Sequence, residues 1–166
     1  MRLFFAINFS DNIKARLAHL RDDVRSRALR GNFTATENFH LTLAFLGECS
    51  AQQISAAKAV SDSLTPASLD IRFNRLGRFR RDGGDIFWVG IVENKALLML
   101  HNDLIKKLVS AGFRLDNRKY SPHITLARAV VTEDEPRDIE PFGETVRSVE
   151  LMKSERLMGK LTYTAI

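Results

Sequence analysis

The chain has little cysteine and no long apolar run, and each shortage excludes a class of protein. Cys49 is the only cysteine among the 166 residues, so no disulfide can form within the chain and no metal site can use a pair of cysteines. No apolar stretch approaches the roughly 18 residues of a membrane-spanning helix. The apolar run at 3–7 is also too short for a secretory signal peptide, since the polar Asn8 follows it at once. We therefore expect a cytoplasmic protein that does not associate with membranes.

Charge of one sign is only slightly in excess. The 25 lysines and arginines outnumber the 20 aspartates and glutamates, which gives a formal net charge of +5. An excess of this size favours an anionic partner, although many ordinary soluble domains carry it. With 45% apolar residues, a chain of this length can bury a proper core. We predict a single domain over 1–166, built from two halves, and we expect a monomer.

Two of the four histidines lie in two copies of one short pattern. The copies are Phe-His-Leu-Thr-Leu-Ala, which contains His40 and Thr42, and Pro-His-Ile-Thr-Leu-Ala, which contains His123 and Thr125. Each copy alternates in the manner of a β-strand, where residues two apart point to the same face. The histidine and the threonine of each copy would then share one face, opposite an apolar face. Two such strands facing each other would form a cleft with two imidazoles and two hydroxyls.

Phe45 and Arg128 each lie five residues past the histidine of their own copy. Strict alternation would send both side chains to the buried face, which is unfavourable for an arginine. A β-bulge or a strand end near each residue would turn it toward the histidines instead. Without such a feature, Phe45 is a core aromatic and Arg128 is a solvated residue at a strand end.

Caps, turns and periodicity predict further helices and strands along the chain. Ser10 and Ser50 are predicted N-caps of two helices, and a third helix is predicted over 95–111. The predicted strands are 2–9, 39–46, 69–79, 86–92, 123–130, 146–152 and 157–164. The turn at 81–85 between two of these strands is a strong hairpin signal.

Two stretches are predicted as loops, one around Gly31 and one at 132–141, which is acidic and contains proline. Pro66 is predicted to close the second helical segment. Helices alternate with strands, but hairpins also occur, and this combination predicts an α+β fold with mixed or mainly antiparallel sheets and helices on their outer faces. The two motif copies predict two similar lobes related by a pseudo-twofold axis.

A pair of histidines suits concerted acid–base chemistry near neutral pH, because the ordinary pKa of histidine is about 6.5. One neutral imidazole can take a proton from an attacking water while an imidazolium gives a proton to a leaving oxygen. Threonine hydroxyls two residues along can donate to the non-bridging oxygens of a phosphate. The sequence contains no metal-ligand motif, so we expect this chemistry to need no metal.

The segments around the two motifs resemble the signature motifs of the 2H phosphoesterases. They are Glu37–Gly47, which contains the first copy, and Ser121–Arg128, which contains the second. Within that superfamily the pattern is most similar to the bacterial and archaeal RNA 2′,3′-cyclic phosphodiesterases, also called 2′-5′ RNA ligases. The opening segment Arg2–Ile7 is typical of the same branch. The resemblance covers the whole chain in length, motif order and spacing.

This resemblance implies a bilobal α+β fold with a central cleft. It implies hydrolysis of an RNA or nucleoside 2′,3′-cyclic phosphate to a 2′-phosphate, without a metal or other cofactor. The partner is then an RNA or nucleotide with a cyclic phosphate end. Arg128 matches a substrate-contacting arginine of the family, and Phe45 matches an aromatic residue that stacks on the base.

The resemblance also implies roles for the motif residues. His40 matches the acid that protonates the departing 3′ oxygen, and His123 matches the base that activates water. Thr42 and Thr125 match the hydroxyls that bind the phosphate. Both His-x-Thr cores agree with the family pattern.

Two other functions remain open on the sequence alone. One is the reversible joining of tRNA halves through a 2′-5′ bond, which uses the same groups with an RNA hydroxyl in place of water. The other is a nucleotide-binding module without turnover. Both histidines are present, which argues against the second alternative.

Overall fold

The computed structural model describes residues 1–65 and 68–166, which form three α-helices and nine β-strands. The helices are α1 (Asp11–Arg27), α2 (Ala51–Ser63) and α3 (Lys95–Ser110). The strands are β1 (Arg2–Ile7), β2 (Ala28–Phe33), β3 (Leu41–Glu48), β4 (Leu69–Phe79), β5 (Asp85–Ile91), β6 (His123–Thr132), β7 (Arg137–Val146), β8 (Glu150–Leu157) and β9 (Lys160–Ala165). A short 3₁₀ helix, Thr36–Asn38, leads into β3.

The strands form two sheets. One has four strands in the order β3-β1-β8-β9, and the other has five in the order β2-β6-β5-β4-β7. Every strand pair in the described part of the chain is antiparallel. The predicted α+β class with antiparallel sheets is confirmed. Each sheet carries one copy of the motif, because the first copy runs into β3 and the second lies on β6.

Helix starts follow the capping residues that the sequence predicts. The Ser10 side chain accepts a hydrogen bond from the Ile13 backbone at the start of α1. Ser50 and Gln53 form a reciprocal capping box at the start of α2. These bonds satisfy backbone N–H groups that have no partner within the helix.

Strand β1, one of the two inner strands of the four-stranded sheet, is buried on both faces. Leu3 and Phe5 of β1 belong to the main hydrophobic core, which also contains residues of the five-stranded sheet and all three helices. Phe4 points to the opposite face and packs with Met152 in a second, smaller cluster. One large core therefore fixes the two sheets relative to each other, and the smaller cluster lies beside His40.

The structure corrects the two predicted loops. The stretch around Gly31 is strand β2, which pairs with β6 at the edge of the five-stranded sheet. The acidic stretch at 132–141 contains the first half of β7, the other edge strand. Pro141 is tolerated there because a register shift leaves it without a cross-strand partner, and proline on an edge needs no ladder hydrogen bond.

Several predicted boundaries also move. The first motif strand begins at Leu41 rather than at residue 39, so His40 immediately precedes it. The predicted strand at 146–152 combines the end of β7 with the start of β8, which begins at Glu150. The final strands β8 and β9 do form the predicted antiparallel pair. Pro66 lies outside the described residues.

Candidate active site

The same irregularity occurs at the same position of both motifs. In β3, Phe5 of β1 pairs with Ala44, but the next residue of β1 pairs with Thr42, so Leu43 is an extra residue. In β6, Phe87 of β5 pairs with Ala127. The next residue of β5 pairs with Thr125, so the leucine between them is again extra. Each motif thus contains a β-bulge at its Leu-Ala step, which reverses the facing of the residue that follows it.

These bulges decide where Phe45 and Arg128 point. Leu43 and Ala44 are both buried, and Phe45 is 50% exposed, the reverse of strict alternation. In β6, both residues of the Leu-Ala step are buried and Arg128 is exposed. Ala129, the next residue, has the left-handed φ of 53°, which distorts β6 further. The expected bulges are present, and both side chains are turned away from the core.

Both histidines are oriented by the same kind of hydrogen bond. Nδ1 of His40 donates to the Asn38 carbonyl at 2.7 Å, and Nδ1 of His123 donates to the Ser121 carbonyl at 2.7 Å. A carbonyl can only accept, so Nδ1 carries a proton in each ring. Nε2 is then the atom that can take or release a proton in each case. Asn38 is itself buried, and its side chain donates to the β9 backbone at Leu161.

The two threonines differ in their local contacts. Thr42 Oγ1 lies 2.9 Å from Nε2 of His40, so in the neutral ring the hydroxyl donates to Nε2. Thr125 is paired with Trp88 across the sheet. A Cβ atom at Gly77 would lie 2.2 Å from the Trp88 indole. The absence of a side chain at this position of β4 therefore leaves the space that the indole ring occupies.

Each imidazole lies among aromatic rings. The His40 ring centroid is 4.9 Å from that of Phe4 and 5.0 Å from that of Tyr163. The His123 centroid is 5.2 Å from that of Phe79 and 6.0 Å from that of Trp88. Aromatic walls restrict ring rotation and exclude water from one side of each histidine.

Burial lowers the pKa of both histidines. For His40, loss of hydration is the main cause, and the charges of Lys14, Arg128 and His123 lower the pKa further. For His123, burial is again the main cause, and Arg128 adds to it. The bonds to the backbone carbonyls act in the opposite direction. The two motifs are therefore within electrostatic range of each other, and both rings are predominantly neutral at pH 7 in the free protein.

Two hydroxyl groups connect the motifs reciprocally. Tyr120, three residues before His123, donates to the Thr42 carbonyl at 2.9 Å. Thr34, which precedes the first motif, donates through its hydroxyl to the Thr125 carbonyl at 3.0 Å. Its backbone N–H donates to the Leu126 carbonyl, at 2.9 Å. The segment that leads into each motif is thus bonded to the bulge of the other motif.

Tyr120 is held in place by a histidine from α3. The rings of His101 and Tyr120 stack at 3.8 Å with an interplanar angle of 3°. The backbone of Leu43, the extra residue of the first bulge, acts to raise the pKa of His101 against the larger effect of burial, which lowers it. Burial raises the pKa of the Tyr120 hydroxyl, which therefore remains a donor. The sequence analysis did not identify Tyr120, Thr34 or His101 as site residues, because their contacts depend on the packing of distant segments.

A cleft of about 570 Å³ opens beside His40. Its lining includes Phe45, Arg128 and Tyr163, together with residues of β1 and β8. Arg128 thus extends from the five-stranded sheet to the cleft on the four-stranded sheet. The size is within the range of small-molecule sites.

Two further observations concern the described residues as a set. Among 1–65 and 68–166, no three His, Cys, Asp or Glu side chains lie close enough together to hold a metal ion. None of the helices in these ranges is long and apolar enough to cross a membrane.

Comparison with known proteins identifies relatives over nearly the whole chain. A protein from Escherichia coli named RNA 2′,3′-cyclic phosphodiesterase is 32% identical in an alignment that covers 99% of this chain and 93% of that protein. A protein of the same name from Archaeoglobus fulgidus is 30% identical, over 93% of this chain and 91% of that one. A third, from Geobacillus stearothermophilus, is 34% identical, but the match spans only 41% of its length.

Solved structures agree with the sequence comparison. The crystal structure of E. coli LigT complexed with 3′-AMP matches 99% of this chain and 94% of that one, with a TM-score of 0.86 and 28% identity. The same protein complexed with ATP matches with a TM-score of 0.75 and 26% identity. Residues 9–156 match the family described as the 2′-5′ RNA ligase superfamily. The chain therefore belongs to the 2′-5′ RNA ligase superfamily.

Proposed function

We propose that this protein is an enzyme that hydrolyses the 2′,3′-cyclic phosphate of an RNA or nucleotide to a 2′-phosphate, and that it does so with two histidines and without a metal. The observation that carries the proposal is the duplicated geometry of His40 and His123. Each ring donates from Nδ1 to a backbone carbonyl and so keeps Nε2 for proton transfer. Relatives named RNA 2′,3′-cyclic phosphodiesterase, about 30% identical over most of the chain, support the same reaction.

The proposed reaction is an in-line displacement at phosphorus. Nε2 of His123 takes a proton from water as the water oxygen attacks the phosphorus atom. The bond from phosphorus to the 3′ oxygen breaks, and the Nε2 proton of a charged His40 passes to that oxygen. The product carries a 3′-hydroxyl and a 2′-phosphate, and the two histidines have exchanged protonation states. Exchange of protons with solvent restores them for the next turnover.

The pKa of His40 must rise when substrate binds for this cycle to work. In the free protein, burial and the nearby charges of Lys14 and Arg128 hold it below its ordinary value. A bound phosphodiester is an anion and favours the charged imidazole. The substrate thus creates the acid that the reaction needs. Assignment of His40 as acid and His123 as base follows the family resemblance.

Thr42, Thr125 and Arg128 are proposed to bind the phosphate. A neutral His40 already accepts from the Thr42 hydroxyl. When His40 is charged, that hydroxyl is released from Nε2 and can donate to a phosphate oxygen instead. Arg128 supplies the positive charge on the opposite side of the cleft, and the half-exposed Phe45 offers a ring face to the base.

The test is an assay with adenosine 2′,3′-cyclic phosphate and with a short RNA that ends in a cyclic phosphate, before and after dialysis against EDTA. We expect adenosine 2′-phosphate, or the RNA 2′-phosphate, at the same rate in both samples. A 3′-phosphate product would contradict the proposed direction of ring opening. Activity that disappears with EDTA and returns with a divalent ion would contradict the proposed chemistry.

Joining of RNA through a 2′-5′ bond is the second candidate, favoured by the description of the family. It would use a 5′-hydroxyl of RNA in place of water at the same two histidines. The assay distinguishes it when an RNA with a 5′-hydroxyl is included, because a longer product then appears.

A further inference from the structure

The cleft continues past His40 to the outer end of β1 and β8, where two arginines line it. Arg2 lies on β1 two residues from Phe4, whose ring contacts His40. Ser154 is the partner of Arg2 on β8, and Arg156 follows it by two residues. Residues two apart on a strand share a face and are separated by about 6.7 Å. The two guanidinium groups thus lie nearer to the outer end of the cleft than the groups that are proposed to act on the reacting phosphate.

Neither arginine has a carboxylate within 4.0 Å among the described residues. Two carboxylates line the same end of the cleft, but each has a cation of its own. Glu155 is bonded to Lys153 at 2.6 Å, and Glu48 is bonded to the Met1 amino group at 3.2 Å. The guanidinium of Arg2 lies 5.0 Å from the centroid of the Phe45 ring. Arg156 makes one bond, to the Gly159 carbonyl, at 3.2 Å. This end of the cleft therefore offers two guanidinium groups to an anion.

The anion that fits is a second phosphate of the substrate. A nucleoside with a cyclic phosphate on its 2′ and 3′ oxygens has one other position for phosphate, the 5′ oxygen. In an RNA that oxygen carries the phosphodiester to the preceding nucleotide, and in a free nucleotide it can carry a terminal phosphate. Both sources place phosphorus on the same atom, and arginine binds phosphate through paired N–H donors.

We propose that Arg2 and Arg156 bind the phosphate on the 5′ oxygen of the nucleoside whose cyclic phosphate reacts at His40. The proposal rests on the proposed function and extends it from the reacting phosphate to the next one. Arg2 covers Phe45 in the free protein, so its movement toward the 5′ phosphate would also uncover the ring for the base. A substrate with a 5′ phosphate is then preferred to a nucleoside cyclic phosphate with a free 5′-hydroxyl.

Three substrates separate the two sources of the phosphate. They are adenosine 2′,3′-cyclic phosphate with a 5′-hydroxyl, the same compound with a 5′-phosphate, and a dinucleotide that ends in the cyclic phosphate. We expect kcat/KM to be about fivefold to twentyfold higher for the second and third than for the first, the usual size for partly exposed charge-assisted bonds. Their advantage should decrease with added salt. If only the dinucleotide is favoured, the contact is to the preceding nucleoside and the proposal is wrong.

Variants test whether the two arginines cause the preference. In R2Q and R156Q, kcat/KM for the two phosphorylated substrates should fall toward the value for the 5′-hydroxyl compound. In R156Q the value for the 5′-hydroxyl compound should itself change little. Arg147→Gln is the matched control. Arg147 lies between β7 and β8 in the chain, is also exposed, and lines a different cavity. An equal loss in R147Q would indicate a general effect of net charge and would overturn the proposal. So would a preference that persists in both R2Q and R156Q.

Binding measurements keep this proposal separate from the proposed function. Titration calorimetry compares adenosine 2′-phosphate with adenosine 2′,5′-bisphosphate, neither of which needs to react. The wild type should bind the bisphosphate about fivefold to twentyfold more tightly than adenosine 2′-phosphate. The R2Q/R156Q double variant should bind the two compounds equally tightly. If the wild type binds the bisphosphate more tightly but shows no turnover, the proposed reaction is contradicted while the second phosphate position is supported. Equal binding of both compounds to the wild type would remove the phosphate position, whatever the activity.

Discussion

The two motif copies form half-sites that share one plan but occupy different positions in their sheets. Each has a histidine with Nδ1 bonded to the carbonyl two residues earlier, and each has a bulge at its Leu-Ala step. The first copy lies on β3, an edge strand, whereas the second lies on β6, between two neighbours. His40 has a hydroxyl on Nε2, and the charges of Lys14 and Arg128 add to burial in lowering its pKa, whereas for His123 it is the charge of Arg128 that adds to burial.

This comparison shows that the repeated features are the ones that orient the two Nε2 atoms for which proton transfer is proposed. The bulge and the Nδ1 bond recur although the strands differ in burial and in neighbours. The differences concern the environment of each ring, which adjusts its pKa and its access to solvent. A duplicated motif can therefore yield two histidines with the same orientation and different surroundings.

Removing either histidine should have the largest effect on the proposed reaction. His40→Ala and His123→Ala should each lower turnover of a cyclic phosphate by about 10²–10⁴-fold, the usual contribution of a positioned acid or base. Steady-state kinetics on folded protein measures this. His19→Ala is the control, because His19 lies on α1 away from the cleft. Near-normal turnover by either active-site variant would show that the two half-sites do not act as a pair.

Thr42→Val and Thr125→Val should lower kcat/KM by roughly 10–150-fold each, since a bond to a charged phosphate is worth about 1.5–3 kcal/mol. Valine keeps the shape and removes the donor. The comparison between the half-sites also predicts that the two variants differ in their effect on the neighbouring histidine. Thr42→Val should also alter the NMR titration of His40, whose Nε2 it contacts, while Thr125→Val should leave the titration of His123 unchanged. Wild-type rates in both variants would mean that the threonines are structural.

The dependence of rate on pH should be bell-shaped, because one ring must be neutral while the other is charged. Burial lowers the pKa of both rings in the free protein, so the optimum of kcat/KM should lie on the acid side of 6.5. Bound phosphate raises both pKa values, so the profile of kcat should lie at higher pH. Along each limb the rate should change about tenfold per pH unit. An optimum of kcat/KM above pH 7.5 would contradict the lowered pKa values.

The smallest predicted effect concerns the bonds that connect the half-sites. Tyr120→Phe keeps the stacking on His101 and removes the donor to the Thr42 carbonyl, and Thr34→Val removes the donor to the Thr125 carbonyl. We expect kcat to fall about threefold to tenfold with little change in KM, because the distance between the histidines is less well fixed.

Thr132→Val provides the control for those two variants. Thr132 donates a bond of the same kind, to the Arg27 carbonyl at 2.8 Å, at the far end of β6. All three variants should lose about 1 kcal/mol of unfolding free energy, but Thr132→Val should keep the wild-type kcat. A normal kcat in Tyr120→Phe and Thr34→Val would show that these bonds stabilise the fold without positioning the site. Thr34→Ser keeps the hydroxyl and should restore most of the rate.

The residues of the motifs were sufficient to propose a centre for the site. The His-x-Thr repeat led to the prediction of both histidines and both threonines as site residues, and the caps at Ser10 and Ser50 correctly located two helices. The acidic stretch before Pro141 was wrongly predicted as a loop. Its composition resembles a loop because an edge strand has a solvent-exposed side, which accepts charge and proline.

The sequence by itself determined which side chains could perform the chemistry and that each histidine has a hydroxyl on the same strand face, because strand alternation is a local property of the backbone. It also indicated that Phe45 and Arg128 needed a bulge to leave the core. Only the tertiary structure decided that Tyr120 and Thr34 join the two motifs and that Arg2 and Arg156 extend the cleft. These contacts join residues far apart in the chain, and such contacts depend on how sheets and helices pack around the shared core, which no local pattern encodes.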